Sequence, residues 1–243
     1  MSIVAKLRNG DGPFWGGLKH SIKLALTFHL PVNALTKPLF RLLYLLHVFF
    51  RESWIWACRF FWYEPLFRSQ CESIGSRFQM EGLPYLTGQG RIIFGEGVRL
   101  SGKSSIAFGR ESSHGLPELV VGDNTFIGHN CSFNVGISIR IGSNCLIASA
   151  VAIFDQDGHP TDAMRRRSGE PTPPDTIVPV FIGDDVWIGN GSLILKGISI
   201  GDRSIIAARS IVTKSVPPDT LVAGNPARIV RSLISSEKEQ SIS

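Results

Sequence analysis

The chain has 243 residues, 43% apolar and 19% charged, which excludes a disordered chain and allows one or two domains with a sizeable core. Its formal charge of +5 is unevenly placed: residues 1–70 hold nine Lys/Arg against three Asp/Glu, and the remainder sixteen against seventeen. The basic third is also the greasiest, which argues against a nucleic-acid protein, where basic charge gathers on the recognition domain.

In chain order, the first apolar run is broken by Lys23, His29 and Pro31 and does not read as a secretory signal. Between Phe40 and Tyr63 lie ten of the chain's 23 aromatic residues, with leucines between them. Arg41, Arg51, Glu52 and Arg59 interrupt this run, so a simple membrane-spanning helix is not expected. Residues 1–75 are read as a helical, aromatic and basic segment. Two roles stay open for it. Its mixture of aromatic and basic residues favours peripheral contact with a membrane through residues 33–63. The other role is packing between subunits. Cys58, Cys71, Cys131 and Cys145 show neither CxxC spacing nor the density of a disulfide framework, and read as buried thiols of a reducing compartment.

From residue 94 onward a period of six takes over. Ile182, Ile188, Ile194, Ile200, Ile206 and Val212 recur at that step, as do Val121, Ile127 and Phe133, then Ile141, Ile147 and Ile153, and more weakly Phe94, Leu100 and Ile106. Gly and a short polar pair often follow the aliphatic residue, as in "VGDN", "IGSN", "IGDD" and "IGDR". Six matches neither the 3.6 of a helix nor the long alternation of a strand. It matches a short strand and a turn, three of which close a triangular coil of about eighteen residues. Coils are expected to start at Phe94, Val121, Ile141, Ile182 and Ile200, about five in all by that repeat length. The long step from 141 to 182 marks an inserted loop, residues 154–181, with the chain regular on both sides.

That loop contains "HPTDAMRRRSG", His159 to Gly169. Downstream come "PVFIGDDVWIG" (179–189) and "VAGNPARIVR" (222–231). On these three segments and the repeat, residues 91–231 resemble the hexapeptide-repeat acyltransferases, and most of all the sugar O-acetyltransferases of the galactoside and maltose type. The resemblance implies a mainly β fold: a left-handed parallel β-helix over residues 76–225. The loop would carry the active site, and a short C-terminal helix would run over about 226–239, with Asn225 as its cap and Pro226 at its first position.

Acetyl transfer from a thioester to a hydroxyl needs a base, and histidine, with an ordinary pKa near 6.5, suits that task. The resemblance makes His159 that base, with no covalent acyl-enzyme. Asp157 is expected to orient the imidazole, and Asp155 to do the same or to bind the acceptor; both are equally readable as solvated loop residues. Asp162 and Arg166 fall in register with the family's loop and are expected at the acceptor, with Trp187 stacking on sugar or covering the donor. Asn130 is expected to contact the acceptor beside the histidine. Acetyl-CoA is the implied acyl donor, with contacts from Asn190, Ala208, Thr213, Arg228 and Arg231, and a groove between subunits implies a homotrimer. The implied setting is cytoplasmic, at the inner face of a membrane if residues 33–63 bind it, with a sugar or lipid-linked glycan as acceptor.

Three other readings remain. An N-acyltransferase on an amino sugar would still use His159. A zinc hydratase like the γ-type carbonic anhydrases needs three imidazoles; His114, His129 and His159 are available, but no H-x4-H pair exists, and no metal is expected. A non-catalytic scaffold leaves the loop motif unexplained.

Overall fold

The computed structural model describes residues 3–9, 12–110 and 115–234. It forms two units, residues 1–54 and 55–243.

The first unit is helical, with Ile3–Asn9, Pro13–Thr27 and most of Lys37–Cys58. Pro13 stands in the first turn of its helix, where no N–H is needed. Ahead of Lys37, the Asn33 side chain accepts from the N–H groups of Leu35 and Thr36 at 3.0 and 3.1 Å, satisfying donors where the chain turns into the helix. Neither of the two longer helices buries a residue. Among the described residues no helix is long and apolar enough to cross a membrane.

In the second unit a single π turn, Arg59–Tyr63, and the short helix Glu64–Arg68 lead into the repeats. Phe67 is fully buried, with its ring 5.6 Å from that of Phe78 and 5.8 Å from that of Phe94. The chain then winds as a left-handed parallel β-helix with three faces. The first face stacks Ser73–Ile74, Arg91–Phe94, Glu118–Val121, Ser138–Ile141, Val180–Ile182 and Ser199–Ile200. The second stacks Gln79–Met80, Arg99–Leu100, Phe126–Ile127, Leu146–Ile147, Trp187–Ile188 and Ile205–Ile206, and ends in the hairpin Thr220–Gly224 and Ala227–Ser232. The third stacks Tyr85–Thr87, Ser105–Phe108, Ser132–Val135, Ala152–Phe154, Leu193–Ile194 and Ile211–Val212.

The six-residue period is now a packing fact. Each face contributes one inward aliphatic column, such as Met80, Leu100, Ile127, Ile147, Ile188, Ile206 and Val222, all essentially removed from water. Small residues fill the corners between columns, and Cys131 and Cys145 belong to this set. Their Sγ atoms donate to the carbonyls of Ala148 and Gly183 in the next coil. The polar pair after the glycine also has a stacking role. Asp123 Oδ1 accepts from Glu96 N–H at 2.8 Å, Ser143 Oγ from Asp123 N–H at 3.1 Å, Asp184 Oδ1 from Ser143 N–H at 2.7 Å and Asp202 Oδ1 from Asp184 N–H at 2.9 Å. Each coil thus supplies the acceptor for an amide of the coil before it. The glycine is required because a Cβ on Gly142 would lie 2.6 Å from the carbonyl carbon of Gly183.

Two expectations are corrected. The helix has six coils rather than five: the first runs from Ser73 to Thr87 on Ile74, Met80 and Leu86. Residues 227–232 are a strand, not the start of a C-terminal helix; Asn225 and Pro226 form the turn of the hairpin, and residues 235–239 lie outside the described residues. The hairpin wins because Thr220–Gly224 would otherwise leave its outer row of N–H and C=O groups unpaired.

Candidate active site

At the corner where the third face turns into the first, residues 88–90, 136–137 and 195–198 suffice in three coils, and the second coil takes 109–117. Between Phe154 and Val180 the chain instead makes its excursion. Asp155 forms the neck. Its side chain is fully buried and accepts three amides of the preceding coil: Gly136 N–H on Oδ1 at 2.5 Å, and Ile137 and Ser138 N–H on Oδ2 at 2.7 and 2.8 Å. Its own N–H donates to the Asn134 carbonyl at 3.2 Å, and its carbonyl accepts from Val178 N–H at 2.9 Å, where the loop returns. Burial raises the Asp155 pKa above the ordinary carboxyl range, and the three amides pull it back. Asp155 therefore has no atom left for a substrate, and its expected place at the acceptor is replaced by a structural one.

The next residue reaches back to the wall. Gln156 Nε2 donates to Asn134 Oδ1 at 2.8 Å, which fixes the amide and leaves Asn134 Nδ2 without another hydrogen bond among the described residues. Gly158 follows with φ of +78°, a left-handed turn that suits glycine, and delivers His159. Pro160 is buried and anchors the histidine from the other side, while His159 is exposed and makes no hydrogen bond within the described residues. His159, Asn134, Gln156, Phe108, Arg110 and Pro171 are among the residues lining a cleft of about 820 Å³ between loop and wall.

Asp157 does not orient the imidazole. It is ion-paired with Lys196 Nζ at 2.5 Å, on the following coil, and no hydrogen bond joins it to His159. Asp162 caps the short helix Ala163–Arg167 by accepting from Arg165 N–H at 2.9 Å. Arg166 folds back, donating to the carbonyls of Pro160 and Thr161 at 2.9 Å each. Both residues hold the loop's shape around His159.

Asn130 is also displaced from its expected place. It sits in a left-handed turn, φ +57°, between the second and third faces, at the far end of the third-face strand from His159. The strand register instead brings Asn134, a residue the sequence did not single out, beside the start of the loop, where it pairs with Phe154. Gln156 was missed as well. The available signal was the fixed register: counting back one coil from Phe154 lands on Asn134.

The remaining expected residues lie on other parts of the surface. Trp187, 47% exposed, shares an outward ladder of the second face with Ile205, Leu221 and, across the hairpin, Arg231. Arg228 lies opposite Ala223 on the same hairpin. Asn190 and Ala208 stack at the corner between the second and third faces, where Asn190 Nδ2 donates to the Ser149 carbonyl at 2.7 Å. Thr213 follows Ile211–Val212 at the other end of the third face. Of these six, only Thr213 stands at the corner from which the His159 loop leaves, two coils further on. Among the described residues no three His, Cys, Asp or Glu side chains meet as a metal site; His114 lies outside them.

Known proteins share this architecture. Two family models match, bacterial transferase hexapeptide (six repeats) over residues 179–214 and hexapeptide repeat of succinyl-transferase over 118–154. A hexapeptide-repeat containing acetyltransferase from Vibrio cholerae is 32% identical, with a TM-score of 0.51, covering 71% of this chain and 80% of that one. Galactoside O-acetyltransferase of Escherichia coli strain K12 is 40% identical over 123 residues, 48% of this chain and 58% of the relative. The N-acyltransferase AntD from Bacillus cereus superposes with a TM-score of 0.58 over 73% of this chain and 92% of its own, and at 17% identity shows the fold alone. The chain spans little more than half the length of the curated relatives it matches. It belongs to the hexapeptide-repeat acetyltransferase family.

Proposed function

We propose that this protein is an acetyl-CoA-dependent O-acetyltransferase acting on a sugar hydroxyl by direct transfer, with His159 as general base. The observation that carries the reading is the cleft in which an exposed His159, without a hydrogen bond among the described residues, and the Gln156-held amide of Asn134 face one space on a hexapeptide-repeat wall. The likeness to galactoside O-acetyltransferase supports a sugar acceptor.

A hydroxyl is a poor nucleophile at neutral pH, and His159 takes its proton as attack begins. Asn134 Nδ2 donates to an acceptor oxygen or to the oxyanion as it forms, and an amide already held in place needs no reorganisation at that moment. The buried Pro160, the capped helix and the Arg166 bonds to Pro160 and Thr161 keep the imidazole where the acceptor meets it.

Coenzyme A would supply the activated acetyl group as a thioester. The chain's residues suit its anionic end: Arg228 and Arg231 are exposed, and neither pairs with a carboxylate among the described residues. Trp187, Ile205 and Leu221 give an apolar ladder beside Arg231, with Asn190, Ala208 and Thr213 proposed along the rest of the donor. All but Thr213, which stands two coils on from the loop at the same corner, lie on other faces than the cleft, which fits a groove completed by a second copy in a homotrimer. We read the acceptor as a surface polysaccharide or lipid-linked glycan on the cytoplasmic side, with residues 33–63 as a peripheral membrane contact.

The test is coenzyme A release from acetyl-CoA with free sugars, amino sugars and membrane-extracted lipid-linked sugars, for wild type and His159→Ala. A loss of about 10²–10⁴-fold in the variant, with acetyl-CoA still bound, supports the assignment. Unchanged turnover removes His159 from the chemistry, and absence of acetyl-CoA binding defeats the reading as a whole.

A further inference from the structure

The helices of the first unit carry a pattern that the acyl-transfer site does not use. At about 100° per residue, Lys37, Arg41, Arg51 and Glu52 of Lys37–Cys58 fall within an arc of roughly 100°. The wide remainder holds Leu39, Leu42, Leu46, Phe49, Phe50 and Trp54, none of them buried. Trp54 is 72% exposed and Phe50 67%. The helix Pro13–Thr27 repeats the division, with Lys19, His20 and Lys23 on one side and Phe14, Trp15, Leu18, Ile22 and Leu26 on the other. A groove of about 450 Å³ is lined by Val32, Phe40, Tyr44 and Leu45 together with Lys37 and Arg41. Neither of these two cations has an ion-pair partner among the described residues.

Wide apolar arcs left in water need a cover, and the charges beside them select which. Across Pro13–Thr27 and Lys37–Cys58, Lys19, Lys23, Lys37, Arg41 and Arg51 face a single acid, Glu52, already spent on Arg51 at 2.7 Å. Neither helix is both long and apolar enough to cross a membrane. Tryptophans bordering an apolar arc with cations at its edge suit the headgroup boundary.

We propose that the helices Pro13–Thr27 and Lys37–Cys58 lie in the surface of an anionic phospholipid bilayer. Their apolar arcs enter the acyl boundary, and Lys37 and Arg41, with Lys19 and Lys23, meet lipid phosphates. The proposal deepens the peripheral attachment proposed above and is independent of the acyl-transfer chemistry.

The test is flotation of the full chain with vesicles of phosphatidylcholine alone and with phosphatidylglycerol added, at low and high salt. Wild type binds the anionic vesicles, more weakly as salt rises, and the fourfold change of Lys19, Lys23, Lys37 and Arg41 to Gln weakens binding about tenfold or more. Brominated acyl chains quench the tryptophans of the bound wild-type protein, a readout that needs no variant. Acetyl-CoA turnover on a soluble sugar, measured on the same samples, reports separately on the acyl-transfer reading. Equal binding to neutral and anionic vesicles overturns the proposal. So does absence of binding with association through these helices in sedimentation, which assigns the arcs to a second copy of the chain.

Discussion

Asp155→Ala removes the one acceptor shared by the amides of Gly136, Ile137 and Ser138. Hydrogen bonds to a charged group contribute about 1.5–3 kcal/mol each, but three bonds to one carboxylate do not add in full. Stranding three buried donors is expected to destabilise the second unit by about 3–5 kcal/mol. For a unit of this size about 1 kcal/mol moves Tm by 2–4 °C, so Tm should drop by ~10 °C. Asp155→Asn keeps one oxygen and turns an NH2 toward an N–H, so it should fall between the alanine variant and wild type. The effect should also reach the chemistry, because Asp155 donates to the Asn134 carbonyl and precedes Gln156, which holds the Asn134 amide. At a temperature where the variants remain folded, kcat should fall while acetyl-CoA affinity holds. Differential scanning calorimetry and steady-state kinetics on the same preparations are the assays. An alanine variant with Tm within ~2 °C of wild type and unchanged kcat refutes the neck role, since no arrangement that strands three buried amides is that cheap.

Gly158→Ala isolates backbone strain: the nearest heavy atom to the added Cβ is Asn134 Nδ2 at 3.8 Å, so the penalty is the left-handed φ of +78° alone. About 1–2 kcal/mol against the His159 pose predicts a 5–30-fold loss of kcat/KM with little change in Tm. Gly189→Ala is the converse, because its Cβ would stand 2.5 Å from Ala208 N in the next coil, so circular dichroism should show the fold itself lost or loosened. Asn134→Ala should lower kcat by about 10²-fold, and Asn130→Gly should leave it within about twofold, which separates the two asparagines by kinetics alone. Burial pushes the Cys131 and Cys145 thiols up to about 11 and Cys71 to about 12. At pH 8 native protein should therefore react with a thiol reagent fastest at Cys58. Folded thiols that keep protons the unfolded chain has released make stability fall as pH rises from about 9 toward 11, measurable by denaturant titration.

The repeat was legible because each position has one physical job. The inward aliphatic column, the glycine without room for a Cβ and the polar side chain that serves a neighbouring coil's amide all write themselves into a period of six. The first coil escaped notice because "SIGSRFQMEGLPYL" keeps the columns, Ile74, Met80 and Leu86, but only one full corner, Ile74-Gly75-Ser76-Arg77, with no glycine directly after Met80 or Leu86. The loop offers His159 as a candidate base by residue type, but the places of its acids were not legible, because a sequence does not say which carboxylate is turned inward. Asp155 reads as an acceptor-binding, imidazole-orienting or solvated loop residue, and its three amide partners, Gly136, Ile137 and Ser138, come from the coil before it. Asn134 was hidden by register: a strand alternates its faces, and only the pairing of Phe154 with Asn134 tells which asparagine faces the loop. The hairpin at 220–232 was missed because a Pro after Asn suggests a helix start as readily as a turn.

A stack of parallel coils has two ends, and each is a template on which another stack can grow. Here both are finished by something that is not a coil. At the start Phe67 lies over the rings of Phe78 and Phe94, plugging the hollow of the first turn. At the finish Thr220–Gly224 lies parallel on Ile205–Ile206 as a seventh second-face strand, and Ala227–Ser232 runs antiparallel on it, occupying the bonds that a further parallel strand would use. The prism is thereby a closed unit of fixed length. Removing either terminator should turn a discrete protein into a monomer for end-to-end fibres.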